Sequence, residues 1–248
     1  MGDGKYLYAV MAMCDSEKMH LNAQGIDQSN VYTIATGEIA AVVSDVPNKK
    51  IRPERRHLAA HQGVLKQLME TTTPLPMAFG IIAGSTTAVK KIMTTNRQAF
   101  LEYLHQVEGR VEMGLRVTCD VPNIFEYFVM THSELKSLRD RFFGTHREPT
   151  QEQKIELGRT FDRLLNEDRE AFTEQVTEIL SRYCSEIKEN RCAKESEIMN
   201  LACLVGRQRL VEFEQGVLEA ANLFDNNFAF DFNGPWAPHN FVDIDLKI

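Results

Sequence analysis

Two stretches of the chain carry residue types that could do chemistry. GIIAGST, from Gly80 to Thr86, leads from an extended run into a helix start, where backbone N–H groups and the helix dipole favour a phosphate. A phosphate-binding GxxxxGK[ST] loop needs a lysine to neutralise charge and a hydroxyl to hold magnesium. Here the glycines stand one residue too close and Ser85 takes the lysine position. The segment reads as a turn and helix cap, with anion or nucleotide binding in an enzyme as the alternative function. His57 and His61 lie four apart in HLAAH, a spacing that puts two imidazoles on one helix face. The glutamate of HExxH is missing and no third ligand can be named, so a hydrogen-bonded pair is expected and metal is not.

The remaining histidines, His20, His105, His132, His146 and His239, do not cluster with acids or cysteines, and neither GxSxG nor a GxGxxG between strand and helix occurs. Cys14, Cys119, Cys184, Cys192 and Cys203 form no CxxC pair and read as free thiols of a reducing compartment. Paired carboxylates such as Glu167 and Asp168 fall in a highly charged helical stretch, as a solvated face would. No catalytic residue, cofactor or metal is predicted, and the chain is read as a non-enzyme. Aromatic area is concentrated instead: Phe224, Phe228, Phe230, Phe232, Trp236 and Phe241 are six of the 21 aromatic residues. Phe228, Phe230, Phe232 and Trp236 are the candidate partner-binding residues. The three phenylalanines could equally fill the core face of a strand, whereas Trp236, between Pro235 and Pro238, suits an exposed or partner-facing role as well as a packed one.

The elements that position these residues follow from periodicity. KYLYAVMAM, from Lys5 to Met13, is apolar on both faces and predicts an interior strand. VYTIAT and EIAAVVSDV around Gly37 predict a hairpin. A helix is predicted from Pro53 with Leu58, Val64, Leu65, Leu68 and Met69 inward, ending near residues 71–73; PLPMAFGII is extended, and Ser85 caps a helix running through Leu104. Gly109 closes this half. A strand over Val111 to Thr118 opens the second, followed by shorter helical pieces between Pro122 and Gly144. One amphipathic helix over Gln151 to Glu189 comes next, with a polar interruption, NEDREA, that leaves open whether it is one helix or two. Then come a strand at IMNLACLVGR, a helix from Arg207 to Leu223 with Val211, Val217, Leu218 and Ala221 inward, and a strand at NFAFDF with its phenylalanines on one face, stopping at NGPW. The fold class is α+β: an N-terminal α+β domain over 1–108, and over 109–248 a ferredoxin-like α+β domain with inserted helices and an aromatic tail.

The 248 residues carry 28 Lys+Arg against 35 Asp+Glu, a net charge of −7 without the basic excess that a nucleic-acid backbone requires. No window approaches the ~20 apolar residues of a membrane span, and the first thirty residues do not read as a signal peptide. Neither nucleic acid nor membrane is an expected partner.

YLYAV, EIAAVVSDV, HQGVLKQLM from His61, PLPMAFGII, VEMGLRV and NFAFDFNGPWAPHNFV occur in this order over almost the whole chain. Together they resemble the GvpF/GvpL gas vesicle family, its cyanobacterial members in particular, with PLPMAFG and GPWAPHNF the most specific pieces. The chain departs from the pattern at Ala78, where many members are expected to carry arginine. The resemblance implies a modified ferredoxin-like C-terminal half with an extended tail. It also implies a cytoplasmic, non-enzymatic accessory protein associated with the gas vesicle. Such a protein would be a minor vesicle component that binds the small hydrophobic main shell protein and prevents its aggregation during nucleation, alongside other gas vesicle accessory proteins.

Overall fold

A computed structural model describes residues 3–13, 22–144 and 148–247, the side chain of Asp3 excepted. Cys14, His20 and His146 lie outside the described residues. The first sheet is built on β1 (Asp3–Ala12), in which Tyr6 to Met11 are wholly buried, as a strand apolar on both faces must be. β1 pairs antiparallel with β3 (Ile39–Pro47), and β3 pairs with β2 (Val31–Thr36). The turn between β2 and β3 contains Gly37 at φ +63°, a left-handed conformation that glycine adopts without steric cost. Two short strands, β4 (Leu75–Pro76) and β5 (Ile82–Ala83), add to β1, so the order is β2-β3-β1-β4 with β5 also on β1.

Three helices accompany this sheet: α1 (Arg55–Leu68), α2 (Thr86–Thr95) and α3 (Arg97–Val107). α1 begins two residues after Pro53 and is rotated from its predicted face. His57, His61, Val64, Leu65 and Leu68 are buried while Leu58 is exposed, because both imidazoles find hydrogen-bond partners inside. The stretch predicted as one helix from Ser85 is two. Ser85 Oγ caps α2 by accepting from Ala88 N–H, and Asn96, at φ −102° and ψ 12°, ends α2 and opens α3.

The second sheet contains β6 (Arg110–Cys119), β7 (Glu186–Glu189), β8 (Glu197–Gly206) and β9 (Phe228–Trp236) in the order β7-β8-β6-β9. Ladder ends at Cys119 N–H to Ser196 O, Asp120 N–H to Asn227 O and Asn190 N–H to Asn200 O make it antiparallel. Helices α4 (Ile124–Thr131), α5 (Ser133–Phe143) and α6 (Gln151–Leu180) lie between β6 and β7, and α7 (Leu210–Ala221) between β8 and β9. Counted from β6, the strands stand in the order 2-3-1-4, the ferredoxin-like plan with two extra helices in the first crossover.

Three further expectations are corrected by the structure, and the open choice between one helix and two is decided. The long helix ends at Leu180 rather than Glu189, and residues 186–189 form a strand. Tyr183 and Ile187 keep helical spacing, but the Tyr183 ring lies against Gly216 of α7 and its hydroxyl donates to Glu219 (2.9 Å), pulling the chain out of the helix. The NEDREA interruption does not break α6. Arg169 within it donates to the carbonyls of Lys194, Glu195 and Glu197 at 2.9 to 3.0 Å, so these polar positions hold the loop before β8. On α7, Val211 (69% exposed) and Leu218 (62%) face outward while Phe213, Gly216, Val217 and Ala220 face inward. Apolar residues stand on more than one side of this helix, and the close approach of Tyr183 to Gly216 selects the buried face. Finally, β9 continues through NGPW to Trp236; it is an edge strand, where a proline deprives no neighbour of a donor.

The chain divides into two compact units, the first comprising Met1–Met113, Leu204–Arg207 and Gly234–Ile248, and the second Gly114–Cys203 and Gln208–Asn233. Among the described residues no helix is long and apolar enough to cross a membrane.

Candidate functional site

In the first unit, Trp236 walls a groove of about 560 Å³ against α1. Ala59 and Gly63, one helical turn apart, line the facing wall, with Lys66 and Glu70 further along it. A Cβ added at Gly63 would meet nothing within 4 Å, so the groove exists partly because this position has no side chain. A glycine inside a helix costs roughly 0.5–1 kcal/mol relative to alanine, and the fold keeps one where its absent side chain leaves an opening.

Two contacts fix the far side. Gly234 has φ +130°, and its Cα lies so close to β6 that a Cβ would sit 2.7 Å from Met113 Sδ and 2.9 Å from Glu112 O. That approach sets where Pro235 and Trp236 emerge. The Arg207 guanidinium, partly buried at the groove, donates to the carbonyls of Met69 (2.5 Å) and Thr72 (2.6 Å) just past α1, where helix carbonyls lack intrahelical donors. Burial pushes its pKa down, but an arginine remains cationic. The groove therefore combines an exposed indole face, small-residue helix surface and a fixed positive charge. It is suited to apolar side chains of a partner, and its ionisable lining residues are Lys66, Glu70 and Arg207.

The structure separates the four predicted contact residues. Phe228 and Phe230 are half-buried in an aromatic cluster of the second unit: Phe224 lies tilted against Phe172 (4.6 Å between centroids) and edge-to-face with Phe228 (5.1 Å) and Phe230 (5.1 Å), and Tyr127 meets Phe228 at 6.0 Å. Phe232, on the same strand, is 39% exposed and not covered as its two companions are; Trp236, 47% exposed, belongs to the first unit. Of the groove residues, Ala59, Gly63 and Arg207 escaped the sequence reading. Gly63 carried the one available signal, an isolated glycine within a helical pattern.

The other candidate chemistries resolve into structure. His61 Nδ1 accepts from the Tyr6 hydroxyl (2.9 Å), and that oxygen in turn accepts from Gly80 N–H (3.1 Å). Burial depresses the His61 pKa to about 4 and raises that of Tyr6 to about 12. His57 bonds the Arg52 carbonyl (2.9 Å) and Asp27 (3.1 Å). In the Gly80–Thr86 loop, one N–H is thus committed to Tyr6 and Ser85 Oγ to the helix cap, and Ala78 just before it is exposed. Inorganic phosphate, ATP or GTP at millimolar concentration is expected to leave the melting temperature unchanged. A ligand at 100 times its dissociation constant would add about 2.7 kcal/mol and be seen in a thermal-shift scan.

The model of the family described as "Gas vesicle synthesis protein GvpL/GvpF" matches residues 4–243. The chain is 26% identical over 247 residues to gas vesicle protein F of Nostoc sp., covering 98% of this chain and 100% of that protein. It is 29% identical over 219 residues to gas vesicle protein F of Streptomyces sp., covering 86% and 88%. In fold it matches the crystal structure of the gas vesicle protein GvpF from Anabaena sp. with a TM-score of 0.84 and 24% identity, over 98% of this chain and all of the other.

Proposed function

The chain belongs to the gas vesicle GvpL/GvpF family, which makes it a gas vesicle accessory protein, and we propose that it binds the small hydrophobic main shell protein and keeps it from aggregating during vesicle nucleation and assembly. A subunit that builds a gas-tight wall has to present a large apolar face, which is an aggregation hazard until neighbours cover it. This reading makes the protein a non-enzymatic binder in the cytoplasm at the vesicle, with other accessory proteins as further partners.

The observation that carries it is the exposed Trp236 across an open groove from Ala59 and Gly63. Large aromatic side chains anchored beside small-residue pockets are the usual energetic centres of interfaces. Phe232, with Phe228 and Phe230 supporting it from the aromatic cluster, forms a second contact. The net charge of −7 keeps the complex soluble.

Two substitutions test the groove. Gly63→Leu places a side chain into open space on a helix, so circular dichroism and melting should stay at or above wild type while the groove fills. Trp236→Ala removes the indole wall. Each is expected to weaken binding of the shell protein by about 30-fold or more, the effect of losing roughly 2 kcal/mol at an interface centre. The readouts are co-purification and light scattering as shell protein is diluted from denaturant with equimolar accessory protein. Unchanged binding by a folded Gly63→Leu protein would move the contact elsewhere.

A further inference from the structure

Residues 242–247 are held in the first unit without belonging to any strand. Asn96, buried at the junction of α2 and α3, pairs its side-chain amide with the backbone of Lys247 in both directions. Nδ2 donates to the Lys247 carbonyl (3.0 Å), and Oδ1 accepts from its N–H (3.0 Å). Seven residues along α3, the Tyr103 hydroxyl donates to the Asp243 carbonyl (2.8 Å). Seven helical residues rise about 10 Å and four extended ones cover about 13 Å, so the segment runs antiparallel to α3.

The side chains alternate. Val242, Ile244 and Leu246 are half-buried, whereas Asp243, Asp245 and Lys247 are exposed. The segment is therefore held by its backbone at two points and by half-buried aliphatic side chains at every second residue, as peptide-binding sites hold extended ligands. The Asn96 side chain makes no N-capping bond for α3; its Nδ2 also donates to the Ile92 carbonyl (2.8 Å) at the end of α2, and its Oδ1 has the Lys247 N–H opposite it. Without an extended chain there, this acceptor would lose its partner.

The attachment changes in kind just upstream. Asn240 donates from its N–H (2.8 Å) and from Nδ2 (2.6 Å) to the buried Glu112, and Phe241 is buried. Residues up to 241 are anchored, while those beyond rest on side-chain hydrogen bonds and half-buried aliphatics, the profile of a segment that opens locally at small cost.

We infer that the groove along α3 is a binding site for an extended segment of a partner polypeptide with aliphatic side chains at three alternate positions, and that residues 242–247 are an intramolecular occupant which such a segment displaces. The inference is independent of the shell-protein contact at Trp236.

The test uses the full chain and two labelled, end-blocked peptides, Val-Asp-Ile-Asp-Leu-Lys and Val-Ser-Ile-Ser-Leu-Ser. The double substitution Ile244→Asp, Leu246→Asp weakens the internal occupant and leaves the groove intact. This protein is expected to bind both peptides at least 10-fold tighter than wild type, to ignore a peptide whose Ile and Leu are replaced by Asp, and to lose at least 10-fold on further substitution of Asn96→Ala. Equal binding by wild type and double variant, or indifference to Asn96→Ala, overturns the inference. Should the double variant lose its circular dichroism signal, hydrogen exchange on the wild-type chain decides. The peptide at millimolar concentration must speed exchange of the Lys247 amide, and an unchanged rate overturns the site. Wild-type chains that dimerise, with the dimer dissolved by the peptide, would make a second copy the occupant and overturn the assignment to another polypeptide.

Discussion

Gly234→Ala is expected to destabilise the protein by roughly 2–5 kcal/mol, the sum of a strained φ and an overpacked contact. The backbone at this position has φ +130°, outside the regions an L side chain adopts readily. The new Cβ would also press on two atoms. Met113 Sδ, at 2.7 Å, ends a flexible side chain and can retreat, but the Glu112 carbonyl at 2.9 Å belongs to a strand and cannot. With about 2–4 °C of melting temperature per kcal/mol for a chain of this size, a fall of about 4–20 °C is expected in calorimetry. The control is the same chemical change at Gly63, where the helix is regular and nothing stands within 4 Å. Gly63→Ala should raise stability by up to about 1 kcal/mol. If Gly234→Ala melts with wild type, β9 does not approach β6 as described, and the basis for the placement of Trp236 fails with it.

Acid is expected to weaken the protein through His61. Its imidazole is 2% exposed, and burial holds its pKa near 4 in the fold against an ordinary 6.5. The partly desolvated His239 opposes its charge further. Between those two values the unfolded chain binds a proton that the folded one refuses. Stability is therefore complete above about pH 6.5, falls as pH drops towards 4, and levels off below that value, a loss of about 3 kcal/mol at most. His57 runs the other way: the Arg52 carbonyl and Asp27 raise its pKa, so its contribution is present at low pH and lost as pH rises through the folded value. Urea unfolding of wild type and His61→Phe at pH 7.0, 5.5 and 4.5 separates the two. The wild-type free energy should fall over this range by more than that of the variant. Parallel curves would mean that the imidazole takes up its proton without cost, and that the Tyr6–His61 contact is solvated.

How far residues alone disclosed this fold depended on how local each signal was. Tyr6 to Met11, apolar on both faces, predicted an interior strand, and the hairpin around Gly37 stood where its flanking runs put it. The ferredoxin-like plan was legible in the alternation after residue 108, although its second strand, β7, hid inside a helical pattern that the Tyr183–Gly216 contact interrupts. Leu58, Val211 and Leu218 came out on the wrong face because histidines and a glycine chose the buried stripe, and hydrophobicity scales favour neither. The groove was half legible. Trp236 stood out between two prolines, but its facing wall lies some 170 residues earlier, at Ala59 and Gly63, and no periodicity links positions so far apart. Phe228 and Phe230 could not be told from Trp236 by type; burial beside Phe172 and Phe224 distinguishes them.

The first compact unit is assembled from three separate stretches of chain, Met1–Met113, Leu204–Arg207 and Gly234–Ile248. On a ribosome adding about 5–20 residues per second, roughly 6–24 s pass between the emergence of residue 113 and that of residue 234. For about three quarters of that interval the nascent β1–β3 sheet lacks the Arg207 guanidinium that ends α1, and throughout it lacks the Asn240 partner of Glu112 and the buried Phe241 ring. Order of synthesis and order of completion are thus reversed: the stretch made first is among the last to be finished, and it stays exposed to chaperones and proteases for as long as translation of the remainder takes.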